Sequence, residues 1–281
     1  MVALGKCGGR EMSATSDLDL MTLYRASDPA AASAIKGWDG PLFYGRFTQR
    51  LIAALSSPTA EGRLYEVDMR LRPTGTAGPV AVSMAAFDQY YEGEAETWEL
   101  LALTRARVVW SSSGAFATEA AGAIEAALRR PRDRSATARD VVEMRQLMER
   151  ERPPKGPWDL KLGPGGLVDI EFAAQFLQIA HAGDGGPLRP NTAEALTALG
   201  EAGLAQPETL AALGEAWRLQ QDLTQLIKVA LGDDGDPDAE PKGFQALLAR
   251  AGGVKTLKAL RARLEAVQGA ARTAYAAVVK S

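Results

Sequence analysis

The sequence predicts an α+β domain followed by an all-α helical bundle domain, with the boundary near residue 129. Three observations carry this. Two short alternating segments, at 17–24 (DLDLMTLY) and 64–72 (LYEVDMRLR), flank a helical pattern. A charged, proline-containing break (RRPRDR) occupies 129–134. Beyond it, long apolar patterns with helical period run to the end of the chain. Residues 1–128 are therefore expected to form one domain and residues 129–281 another.

The elements follow in order. Met1-Val2-Ala3-Leu4 reads as the tail of a strand that runs straight into a glycine motif. A domain rarely begins there, so the N-terminus is expected to be truncated and the chain to be a piece of something longer. The alternation at 17–24 predicts a strand. Residues 41–56 predict a helix: Pro41 suits a first-turn position, and Phe43, Phe47, Leu51 and Leu55 recur every four residues on one face. Residues 64–72 predict a second strand, ending before Pro73. Gly75 and Gly78 bracket a turn, a short strand is expected at 80–82, and Ser83 caps the next helix. In the second domain, helices are expected at 137–152, 166–182, 191–202, 207–231 and 254–279. The acidic stretch 233–241 (DDGDPDAEP) reads as a mobile loop.

Composition sets limits on function. The chain has 281 residues, 46% of them hydrophobic and 24% charged, and carries a net charge of −3. That balance suits a soluble globular protein and argues against binding nucleic acid by bulk electrostatics, which shows a basic excess. A nucleotide is still compatible, because a local cation outweighs a weak net charge. The one cysteine, Cys7, allows no disulfide within the chain and fits a reducing, cytoplasmic setting. No stretch approaches 18 uninterrupted apolar residues, so no membrane association is expected.

The chemistry is drawn by the acids. Residues two apart on a strand share a face, so Asp17 and Asp19 project together while Leu18 and Leu20 point the other way. Two carboxylates about 4 Å apart repel by roughly 4 kcal/mol at an effective dielectric near 20. A hard divalent cation offsets that, and Mg²⁺ typically takes one or two carboxylates plus phosphate oxygens. On 64–72, Tyr65, Val67, Met69 and Leu71 form the apolar face and Glu66, Asp68, Arg70 and Arg72 the polar one. If this strand lies beside the first, Asp68 joins Asp17 and Asp19. Three carboxylates around one or two metal ions suit in-line phosphoryl displacement. Arg70 and Arg72 could contact phosphate, or the first acids across the sheet. Upstream, Gly8 and Gly9 allow close approach of a phosphate to backbone N–H groups, and Lys6 and Ser16 flank them.

Taken singly, each feature has an ordinary reading: an acidic pair on a solvated strand, a glycine turn, a half-exposed edge. Their ordered combination, GG…SDLDL…EVDMRLRP, is far more specific. It resembles the DNA polymerase β nucleotidyltransferase superfamily, through 5–12 (GKCGGREM) and 16–20 (SDLDL). Within that superfamily the chain is similar to the glutamine synthetase adenylyltransferase family. The stretches 65–73 (YEVDMRLRP), 78–83 (GPVAVS), 97–109 (TWELLALTRARVV) and 158–172 (WDLKLGPGGLVDIEF) carry the same likeness, so it runs from the first residues to about 180. Cys7 stands where the family pattern has leucine.

The resemblance implies a polymerase-β-like nucleotidyltransferase palm sheet followed by the helical bundle. Members carry two similar halves: one attaches AMP from ATP to a tyrosine of glutamine synthetase, the other removes it by phosphorolysis. The stretch 96–109 looks like the attaching, C-terminal half. Carried over, Asp17, Asp19 and Asp68 are the catalytic acids and Mg²⁺ ligands, with Asp68 near the attacking hydroxyl. Gly8, Gly9, Ser16, Lys6, Arg70 and Arg72 hold nucleotide phosphates. Glutamine synthetase and a PII-type signal protein are the implied partners. Three other readings stay open: phosphorolytic removal of AMP, uridylyl transfer to a PII protein, and a non-catalytic module that binds either partner.

Other residues receive structural or divided readings. Lys161 could reach a phosphate from the second domain or simply start a helix in solvent. Arg105 and Arg107 could bind nucleotide or hold the domains together, with a structural role preferred. Asp169 and Glu171 lie two apart on a helix, so they do not share a face, and one is expected to cap or form an ion pair near the helix start. His181, the only histidine, is expected to complement a helix C-terminus. It leaves no room for a multi-histidine zinc site or a histidine-dependent triad. Cys7, Trp98, Trp158 and Trp217 are expected to pack.

Overall fold

In a computed structural model, the structure describes residues 1–26, 28, 32–34, 36–63, 65–233 and 235–280. Leu64, the first residue of the expected second strand, and Asp234 of the acidic loop lie outside these. The chain divides into two compact units: Met1–Met12 with Ser16–Arg130, and Ser13–Thr15 with Pro131–Ser281.

The first unit is built on a small mixed sheet. Its elements are β1 (Val2–Ala3), α1 (Gly5–Gly9), β2 (Leu18–Tyr24), α2 (Gly40–Ser56), β3 (Val67–Asp68), β4 (Ala81–Ser83), α3 (Met84–Gly93), α4 (Thr97–Leu103), β5 (Arg107–Val108) and α5 (Gly114–Leu128). The sheet order is β3-β2-β1-β5, with β4 pairing further along β2. β2 runs parallel to β3 and β4 and antiparallel to β1. A parallel pair needs a crossover between its strands, and α2 supplies it. Asp39 caps α2 by accepting the Leu42 N–H, with Pro41 in the first turn. Ser83 likewise caps α3. Under the sheet, Ala3, Leu20 and Met69 are buried, with Cys7, Leu18, Ile52, Leu55 and Val67 packed against them.

Three expectations about this unit are corrected. The second strand is far shorter than 64–72. Asp68 Oδ1 accepts the Arg70 N–H at 2.8 Å, which folds the chain into a side-chain-closed turn and ends pairing after two residues. Arg72, placed by alternation on the polar face, is instead buried. The apolar stripe of α2 packs only toward its C-terminal end. Phe43 and Phe47 are exposed, while Ile52 and Leu55 reach the core. Trp98 is exposed as well.

The second unit is all helical among its described residues: α6 (Arg134–Glu151), α7 (Leu167–Ala182), α8 (Thr192–Glu201), α9 (Pro207–Leu231), α10 (Lys242–Ala251) and α11 (Leu257–Val278). Five of these match the expected helices to within a few residues; α10 was not foreseen. α7 is apolar on nearly every side and is buried on nearly every side. Trp217 is buried, and Trp158 packs against a core of Leu219, Leu223, Ile227, Leu248, Leu260 and Leu264. The acidic loop is tied down rather than loose. Asp238 accepts from Trp158 Nε1 at 2.9 Å and pairs with Arg261, and Gln245 donates to the carbonyls of Asp238 and Glu240. No helix among the described residues is long and apolar enough to cross a membrane.

The expected role for Asp169 is met in a stronger form. It is fully buried, accepts the Gly165 N–H at 2.6 Å, pairs with Arg145, and takes Arg272 Nη1 at 3.0 Å. Arg145 also donates to the Leu162 carbonyl. Removing this carboxylate leaves two arginines, one of them buried, with Glu149 as their remaining acidic partner. Asp169→Ala is expected to lower unfolding free energy by about 3–5 kcal/mol, measured by urea denaturation.

His181 sits in the last turn of α7, but not as a cation. Burial, then the neighbouring Arg134, pushes its pKa below the ordinary 6.5. Arg134 Nη2 lies 3.1 Å from Nε2, which accepts only if the ring proton is on Nδ1. The folded state therefore favours the neutral ring. Its contribution to stability is present above the unfolded value and is lost as pH falls through it. As the single histidine, its ring signal needs no assignment. NMR titration should give a midpoint below 6.5, moving upward in Arg134→Ala.

Candidate active site

β2 and β3 bring the predicted acids together. The register sets Leu18 opposite Val67 and Asp19 opposite Asp68, and Leu18 N–H donates to the Glu66 carbonyl at 2.8 Å. Neighbouring strands lie about 4.8 Å apart, so Asp19 and Asp68 are direct neighbours. Asp17 precedes β2 by one residue and is exposed, whereas Asp19 is half-buried. Asp19 is held from the far side by α1. A Cβ built on Gly5 would stand 2.1 Å from Asp19 Oδ2, so Gly5 forms the floor beneath that carboxylate. Its φ of +50° also favours glycine.

The third member, Asp68, carries a partner of its own. Arg70 Nε lies 3.0 and 2.8 Å from its two oxygens, and Nη2 2.5 Å from Oδ2. These hydrogen bonds hold the Asp68 carboxyl below the usual carboxylate range, although burial opposes them. Asp68 lies closest to Arg70, and Asp19 and Asp17 act on the same guanidinium. Asp19 and Asp68 are thus side by side, and the Arg70 guanidinium beside Asp68 also feels the charge of Asp17. Among the described residues, no group of three or more Asp, Glu, His or Cys is arranged to hold a metal ion. The donor chemistry nevertheless fits magnesium: hard carboxylate oxygens, two of them on register partners, with a cation already drawn to them.

The remaining predicted residues separate. Gly8 N–H donates to the Leu4 carbonyl at 2.7 Å, and a Cβ there would meet the Arg105 carbonyl at 2.0 Å. Its closeness is to the chain's own backbone. Lys6 and Gly9 share α1 with it, and Ser16 is half-buried just ahead of Asp17. The buried Arg72 guanidinium donates to the carbonyls of Met69 (2.7 Å), Pro79 (2.8 Å) and Gly78 (3.0 Å). It closes the loop after β3 instead of facing the acids. Arg107 donates to the Cys7 and Gly8 carbonyls at the end of α1, and Arg105 pairs with buried Glu11. Both bind elements within the first unit. Lys161 lies exposed in the second unit. A cavity of about 470 Å³ lined by Arg134, Arg139, Glu143 and Lys280 touches none of these residues. Cys7 is packed, with burial pushing its thiol pKa up. Gly5, beneath Asp19, and Glu11, the partner of Arg105, were not singled out. Gly5 lay within the motif, but nothing in its spacing tells which side chain it must make room for.

Residues 1–122 match the family model for glutamate-ammonia ligase adenylyltransferase. Residues 139–276 match that for GlnD PII-uridylyltransferase. A bifunctional glutamine synthetase adenylyltransferase/adenylyl-removing enzyme of Caulobacter vibrioides is 68% identical over 280 residues, covering 100% of this chain and 28% of its own length. One from Rhizobium meliloti is 44% identical over 283 residues, covering 99% of this chain and 28% of its own. Along its whole length the chain is similar to one part of glutamine synthetase adenylyltransferases.

The chain therefore spans about 28% of the length of the curated relatives it matches. The adenylyltransferase family match takes in every acid of the candidate site, and the second match takes in Lys161 and four of the six helices of the second unit in full.

Gly5 and Gly8 give contrasting tests. Gly8→Ala drives a methyl into fixed backbone and is expected to cost at least about 3 kcal/mol of stability, read by thermal unfolding. Gly5→Ala meets only a movable carboxylate, at an unfavourable φ costing about 1–2 kcal/mol. It should leave a folded chain by circular dichroism, with thermal stability falling less than in Gly8→Ala.

Proposed function

We propose that this chain transfers AMP from ATP to a tyrosine hydroxyl of glutamine synthetase, with Mg²⁺, releasing pyrophosphate as part of nitrogen regulation. The observation that carries the reading is the register of Asp19 against Asp68, with Asp17 two residues before Asp19. The relatives' names, which specify a glutamine synthetase adenylyltransferase, support the acceptor.

In this reading Asp17, Asp19 and Asp68 hold the magnesium. Bound there, it would neutralise charge on the α-phosphate and on the departing pyrophosphate. The chain's own residues do the rest. The tyrosine oxygen forms a bond to the α-phosphorus while the bond from that phosphorus to the pyrophosphate oxygen breaks. Tyrosine ordinarily ionises near pH 10, so its proton must leave during attack. An Asp68 oxygen, two residues from the arginine that grips it, accepts that proton. Arg70, Lys6, Gly9 and Ser16 would hold phosphates. Gly8 and Arg72 act one step back: Gly8 lets α1 pack, and Arg72 fixes the turn that follows Asp68.

A second reading rests on the helical match. The name PII-uridylyltransferase for residues 139–276 favours a PII-type signal protein as a partner of the second unit. The adenylyl-removing activity in the relatives' names makes phosphorolysis the competing direction at the same acids.

Incubating the chain with Mg²⁺, labelled ATP and glutamine synthetase should put label on a tyrosine. Label from UTP on a PII protein instead would reassign the acceptor. Asp17→Asn and Asp19→Asn are each expected to reduce AMP transfer by at least about a thousandfold with the circular dichroism spectrum unchanged. Undiminished transfer in either variant removes that residue from the chemistry.

A further inference from the structure

Arg70 stands on the turn that ends β3, two residues past Asp68, and two interactions tie it there. Its backbone N–H donates to Asp68 Oδ1 at 2.8 Å. Its guanidinium closes a fork on the same carboxylate, with Nε at 2.8 Å and Nη2 at 2.5 Å from Oδ2. The side chain is 74% exposed, so packing does not set its direction. Charge does. The paired carboxylates of Asp19 and Asp68 repel one another unless a cation sits beside them, and Arg70 is the cation hydrogen-bonded to Asp68.

The arrangement has a further property. The backbone bond and the side-chain fork are separable. If the guanidinium leaves, the N–H still orients Asp68 for another cation. An exposed arginine on a flexible stem leaves readily, because a solvated ion pair of this kind is weak. Its planar fork also matches phosphate as well as carboxylate.

We propose that Arg70 is a displaceable counter-ion: it neutralises the acid cluster of the metal-free protein, and swings from Asp68 onto a nucleotide phosphate when a divalent cation takes its place. This rests on the proposed nucleotidyl transfer at the same acids. It adds that metal and arginine compete for Asp68, so loading the cation and gripping the nucleotide are one coupled event. Arg70 is then a binding residue with two opposed effects. It weakens cation binding to the empty protein and strengthens nucleotide binding to the loaded one.

The test uses the full chain without nucleotide, with free Mn²⁺ followed by electron paramagnetic resonance. Arg70→Met should bind Mn²⁺ about two- to fivefold more tightly than the native chain. At saturating Mn²⁺ it should bind α,β-methylene-ATP more weakly, by on the order of tenfold. Arg70→Lys, which keeps the charge and loses the fork, should fall between. A purely structural surface arginine would move neither affinity, and a simple phosphate ligand would move only the second. Unchanged or weaker Mn²⁺ binding in Arg70→Met, with the circular dichroism spectrum intact, overturns the counter-ion role. Asp19→Asn separates that failure from a failure of the proposed function. Loss of Mn²⁺ binding in this variant places the cation at the acids. Binding that survives it overturns both ideas.

Discussion

Two register pairs, Leu18 with Val67 and Asp19 with Asp68, hold the candidate site together. β3 has only two residues, too few to be stable as a strand by itself. Its place depends on what surrounds it. Val67 and Met69 anchor it to the apolar layer beneath, the Leu18 N–H reaches the Glu66 carbonyl ahead of it, and Arg72 closes the loop behind it with three carbonyl bonds. Asp19, by contrast, belongs to a seven-residue central strand and rests on Gly5. The acid cluster therefore joins a rigid half to a half that depends on its neighbours.

That difference explains which parts of the site were legible. Period-two alternation puts Asp17 and Asp19 on one face whatever the tertiary context, so the sequence alone placed them. For Asp68 the sequence offered only a condition, that the two strands be neighbours, and the parallel pairing of β2 with β3 sets Asp68 beside Asp19. Beyond Asp68 the alternation stopped being a guide. The Asp68 carboxylate bonds the Arg70 N–H, the strand ends, and Arg72 turns inward to its carbonyls. The residue types permitted both outcomes, and only the local competition between side chain and ladder decides between them.

The helices tell a similar story. Five helices of the second unit were readable because their apolar period is long and their caps are conventional. The stripe on α2 was readable as a stripe, but not that only its C-terminal end packs. Periodicity reports which residues share a side of a helix, and it is silent on how much of that side finds a partner. Gly8 is the sharpest case. A glycine next to a glycine suggested room for a phosphate, whereas the room is taken by the carbonyls of Arg105 and Ala3. Close approach was the right inference from the residue type; its object depended on strands that pair far away in sequence.

Asp169 joins parts of the second unit that are distant along the chain. It meets Arg145 24 residues before it and Arg272 103 residues after it. A contact of the second kind closes a long loop, and loop-closure entropy must be overcome before the contact gives anything back. Until α11 arrives, Asp169 has one arginine instead of two. During synthesis from the N-terminus, then, the helices through α9 emerge with Asp169 paired to Arg145 alone, and α11 brings the second arginine. The second unit is wired so that its own C-terminal helix finishes its interior, which makes ordering of α7 and docking of α11 parts of a single cooperative step.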